Sequence, residues 1–191
     1  MKKNIIFFII LVIILLLFST SFAQDIVDIS DIPEEEINIK KQKDHDIQNI
    51  LYSEFKHIEY FHFIYVHTLG SAEEIGLKRD YLTKYAKLRF KNNFAYIDYI
   101  EDDNSKNYHT FPEEEQKKIG RLFIKVWTVG DSYPIAYHVS CVAGSCLVPS
   151  YWVYSYLGYE SKESIYDSIK KIINESIEEL ATVFFTVRGE I

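Results

Sequence analysis

The sequence predicts an α+β fold, a two-layer sandwich in which a mostly antiparallel sheet of four to five strands carries two helices on one face. Three observations lead to it. Residues Arg121 to Val129 alternate, with Leu122, Ile124 and Val126 on one side and Arg121, Phe123, Lys125 and Trp127 on the other, the period of a strand. Near the C-terminus, Ile165, Ile169, Ile172, Ile173, Ile177, Leu180, Phe184 and Val187 recur at helical spacing. The order along the chain is strand, helix, a run of three or four strands, helix, with no internal repeat. That segregation favours helices packed on one face of a sheet.

The chain opens on a different kind of segment. Lys2 and Lys3 precede an unbroken apolar run from Ile5 to Phe18, and Ser21-Phe22-Ala23 puts small residues where a signal peptidase reads. Basic, apolar and small-residue regions in that order predict a secretory signal over residues 1–23. The mature chain is then expected to start at Gln24 and to work in the periplasm or outside the cell. The alternative is an uncleaved N-terminal anchor, but the run is 14 residues, short of the roughly 20 that span a bilayer. No second long apolar run follows, so no stable membrane span is expected after signal removal. Residues 24–50 read as a poorly ordered charged lead, with Glu34-Glu35-Glu36 followed by Lys40, Lys41 and Lys43. Residues 51–191 are the size of one ordinary domain.

Charge narrows the partners. The net charge is −7, and losing Lys2 and Lys3 makes it −9. A negative domain without a basic stripe repels phosphate backbones, which argues against nucleic acid.

Within the domain, His57 to His67 is rich in aromatic and β-branched residues and reads as a strand ending at Gly70. Leu77, Tyr81, Tyr85 and Leu88, widened by Leu82, Ala86 and Phe90, predict a helix that stops at Asn92-Asn93. Phe94 to Ile100 reads as a second short strand, and the polar stretch Glu101 to Gly120 as an exposed loop. Gly130-Asp131-Ser132 is a hairpin turn between Arg121–Val129 and a partner strand over Tyr133–Ala143. Ser150 to Tyr159 is the third strand of that meander. Ser161 is the expected N-cap of the final helix, and Arg188-Gly189 its end.

Cys141 and Cys146 are the only cysteines, and Ala143-Gly144-Ser145 between them has a turn composition. In an oxidising compartment the pair is expected to form a small-loop disulfide, with free thiols as the alternative.

Ile64, Val66, Leu122, Ile124, Val126, Ile135 and Val139 mark the strand face expected under the helices. The opposite face then carries Phe61, Phe63, Tyr65, Phe123 and Trp127, joined, depending on register, by Trp152, Tyr154 and Tyr156. Rings of this size bury about 150–250 Å² each. A contiguous patch of them exceeds what soluble monomers usually expose and reads as an interface candidate. The competing reading is that the residues before His57 cover the face, or that a register slip reverses a strand.

Catalytic chemistry finds little support in the sequence. His57 and His67 stand too far apart along a strand to share an ion, and His62 has the opposite parity, so no metal site is expected. There is no Gly-x-Ser-x-Gly elbow and no Gly-rich phosphate loop, and no cofactor is expected.

Gly76-Leu77 leading into a helix with Leu88-Arg89, a strand with Leu122 and Val126, a hairpin partner, Trp152 with Gly158 after it, and a long helix ending at Phe184-Phe185 form a pattern over residues 57–188. It resembles small exported bacterial α+β proteins of unknown function with a helix, meander and long-helix layout. The resemblance implies that fold and export, and carries no active site. The expected function is therefore a non-catalytic exported binding domain that uses the aromatic sheet face for a protein partner or a homodimer. The alternatives are a carrier of a small apolar or lipid-like ligand and an enzyme with an unrecognised site.

Overall fold

The computed structural model describes residues 49–100 and 110–191. The expected signal and most of the charged lead lie outside these residues, as does the first part of the loop expected over 101–120. A helical turn at 49–53 runs into a 3-10 turn at Glu54–His57. Then come β1 (Tyr60–Gly70), α1 (Arg79–Asn93), the two-residue β2 (Asp98–Tyr99), α2 (Glu113–Lys118), β3 (Ile119–Val129), β4 (Ile135–Ser145), β5 (Trp152–Glu160) and α3 (Ile165–Arg188).

The sheet order is β2-β1-β3-β4-β5. β3, β4 and β5 form the expected antiparallel meander, while β1 runs parallel to both β2 and β3. The fold is α+β, with α1 and α3 packed against one face of a mixed, mostly antiparallel sheet. The aliphatic face is the one expected: Ile64, Val66, Leu122, Ile124, Val126, Ile135 and Val139 are all buried.

Helix α1 buries Leu82, Ala86 and Phe90, a spacing of four that lays one stripe on the sheet. Helix α3 buries Ile165, Ile169, Ile172, Ile173, Ile177, Leu180 and Phe184 and reaches about 36 Å along the sheet. Its cap is Ser164 rather than Ser161; the Ser161 carbonyl accepts the first bond, from the Ile165 amide. Arg188 fastens the other end. Its guanidinium donates to the Ile58 carbonyl at 3.0 Å and lies 5.0 Å from the centre of the Phe184 ring.

Three expectations are corrected. The strand expected over Phe94–Ile100 shrinks to Asp98–Tyr99, because Phe94 is drawn into the core and stacks on Phe90 at 4.1 Å. Part of the expected exposed loop is α2, whose first turn holds Glu113, Glu114 and Glu115 and whose last holds Lys117 and Lys118, charges that complement the helix dipole. The disulfide is not formed, and both cysteines are free and buried. β4 does not turn at Ala143-Gly144-Ser145 but stays extended through Ser145. Five extended steps separate the two residues by about 16 Å, beyond the reach of a disulfide.

Each thiol has its own setting. Cys141 faces α3 and donates to the Ser176 hydroxyl at 3.1 Å, while Cys146 packs beside Ile119 in a smaller cluster with Tyr60, Phe63 and Phe111. Burial pushes the Cys141 thiol up to about 12. Folding therefore retains its proton, and stability present below the unfolded value of 9.0 declines as pH rises from there toward about 12. In the folded protein both thiols are expected to resist an aromatic disulfide reagent, then to react together when the chain unfolds in denaturant. Rapid native labelling of Cys141 would contradict the buried setting.

Candidate functional site

The face of the sheet opposite α1 and α3 is set by strand register. On β3, Arg121, Phe123, Lys125, Trp127 and Val129 point outward, opposite Gly144, Val142, Ser140, His138 and Ala136 of β4. β5 continues the face with Val153, Ser155, Leu157 and Tyr159. β1 adds Phe63, Tyr65, His67 and Leu69.

Four of the eight residues expected on this face are there: Phe63, Tyr65, Phe123 and Trp127. Phe61 is not. The β1–β3 register shifts between Phe61 and Phe63, so a bulge at His62 reverses the alternation. Phe61 turns into the core, with ring centres 4.7 Å from Phe90 and 5.9 Å from Phe184. His62 is buried at the bulge, and its Nδ1 donates to the Ile100 carbonyl at 3.0 Å.

Trp152, Tyr154 and Tyr156 are also displaced from the expected face. They stand opposite Ala143, Cys141 and Val139 of β4, residues buried on the helix side. The outward residues of β5 are the other parity, and Val153, Leu157 and Tyr159 are exposed. Sequence reasoning missed these three because both parities of β5 are apolar or aromatic. The signal that assigns them is pairing with β4.

The open face has chemistry as well as shape. Tyr65 and Phe123 stack at 5.9 Å, and the Arg79 guanidinium donates to the Tyr65 hydroxyl at 2.9 Å. Trp127, Val129, Ala136, His138 and Leu157 line a shallow apolar depression of about 220 Å³. Trp127 is 50% exposed, whereas Trp152, the only other tryptophan, is 2% exposed. From the bulge onward the outward residues of β1, β3, β4 and β5 include no carboxylate, and Arg121 and Lys125 lie among them; Asp98 of β2 stands on the same side at the far margin. On a chain of net charge −7, Arg121 and Lys125 are a local pair of cations on this face.

His138 Nε2 and Ser155 Oγ lie 2.7 Å apart on this face. A serine beside an imidazole is the start of a nucleophilic pair, but acyl transfer also needs donors aimed at a developing oxyanion. The pair presents a hydroxyl and an imidazole nitrogen to a ligand on this face. Among the described residues no group of three His, Cys, Asp or Glu converges on a metal position, and no helix is long and apolar enough to cross a membrane.

No protein-family model matches the chain, and no curated protein matches it in sequence.

Proposed function

We propose that this chain is an exported binding domain that takes a protein partner on its open sheet face, the partner presenting an apolar centre flanked by carboxylates. The observation that carries the reading is the exposed row Trp127, Val129, Leu157 and Tyr159, where the outward residues of β3, β4 and β5 include Lys125 and Arg121 and no carboxylate. Large exposed apolar groups are unfavourable in water unless something covers them in use. The surrounding cations favour an acidic rim on whatever does so. Export rests on the order of basic, apolar and small residues over positions 1–23.

A small-ligand carrier is the weaker reading. The depression of about 220 Å³ is below the range of about 300–1,000 Å³ usual for sites that enclose a small molecule, and it is shallow.

An anionic naphthalene sulfonate dye combines an aromatic body with a negative charge and serves as the probe. The folded protein is expected to bind it, and Trp127→Ala is expected to weaken binding several-fold while leaving the unfolding temperature nearly unchanged. Iodide should quench Trp127 and spare Trp152. If the dye does not bind and iodide quenches neither tryptophan, another part of the chain covers the face, and the reading fails.

A further inference from the structure

We infer that β5 is the seam of a homodimer, in which two copies of this chain pair their β5 strands antiparallel about a twofold axis at Tyr156. The sheet order ends at β5, so among the described residues no strand pairs with its outer edge. The opposite margin is partly occupied. There β2 pairs with the start of β1, the Ile100 amide donates to the Phe61 carbonyl, and the Val66 amide donates to the Thr83 hydroxyl.

A long bare edge invites other strands, and proteins usually blunt it with proline, lysine, a bulge or extreme shortness. β5 has none of these. It is nine residues long, its register runs unbroken from Trp152 to Glu160, and its only charge is Glu160 at the end. Isologous pairing uses the same edge of both copies and leaves neither open, which is why a second copy fits better than a chain that would continue to add strands.

The strand is complementary to itself. Full overlap about Tyr156 sets Val153 opposite Tyr159 on the open face and Tyr154 opposite Gly158, which has no side chain to oppose it. Glu160 falls opposite Trp152, so like charges do not meet across the seam. The product is one ten-stranded sheet with two open faces in line. The pairing stands on the edge alone and is independent of what the open face binds.

The test uses the chain as an exporting host delivers it. Sedimentation equilibrium across micromolar concentrations is expected to show a dimer. Tyr156→Lys and Tyr156→Glu each set like charges face to face and should weaken association more than about tenfold. Both should fold, because Tyr156 is 42% exposed. Mixed in equal amounts, they should regain a dimer that native mass spectrometry identifies as the heterodimer. Trp127→Ala, on β3, should leave the dimer intact. Amide exchange gives a check without variants: β5 amides should be protected when concentrated and lose protection on dilution. A monomer at every concentration overturns the assignment. So does a dimer indifferent to both Tyr156 changes, a dimer dissolved by Trp127→Ala, or β5 exchange that dilution does not alter.

Discussion

Phe61→Ala is expected to lower the stability of the domain by about 3–5 kcal/mol in urea unfolding, whereas Trp127→Ala lowers it by less than about 1 kcal/mol. Both residues belong to aromatic strands, and simple alternation puts them on the same face. The bulge at His62 separates them. Phe61 is fully buried and meets Phe90, Phe94 and Phe184, so removing its ring opens a cavity where β1, α1 and α3 converge. Trp127 is half exposed and loses contacts on one side only. Comparable losses for the two variants would contradict the bulge, because they would place both rings in equivalent surroundings.

Gly70→Ala is expected to cost about 2–5 kcal/mol, combining left-handed backbone strain with overpacking. Gly70 ends β1 at φ +68, opposite Thr128. A methyl group there would press on the Thr128 carbonyl oxygen and lie 2.9 Å from the Trp127 ring. Gly76 supplies the control. It has φ +93 with open space around it, so Gly76→Ala bears the backbone strain alone, about 1–2 kcal/mol. Equal shifts in the two urea midpoints would mean that the β1–β3 junction yields freely, against the packing seen there.

Much of this architecture is legible in the sequence, for a local reason. Leu122, Ile124 and Val126, or the isoleucines of α3, repeat a short period against polar neighbours, and each stripe identifies its own buried side. What the sequence hides depends on distant partners. Nothing near His62 announces an extra residue, since its buried ring is held by the Ile100 carbonyl, far along the chain. β5 is apolar on both sides, so only its pairing with β4 decides that Val153, Leu157 and Tyr159 face outward. Ala143-Gly144-Ser145 has the composition of a turn, yet the β3 ladder holds it extended, with Leu122 opposite Ala143 and Gly120 opposite Ser145. Half of the candidate face was therefore readable, namely the part carried by β3 and by β1 beyond the bulge.

The cations of the open face have a kinetic consequence. Lys125 and Arg121 stand among outward strand residues on a chain of net charge −7. An acidic body passing close to the strands is drawn toward them before contact. Such steering acts on the rate of arrival and fades as salt shortens the range of the field to about 10 Å or less. The lifetime of the resulting complex would be set separately, by the apolar surface of Trp127 and Leu157 that contact removes from water.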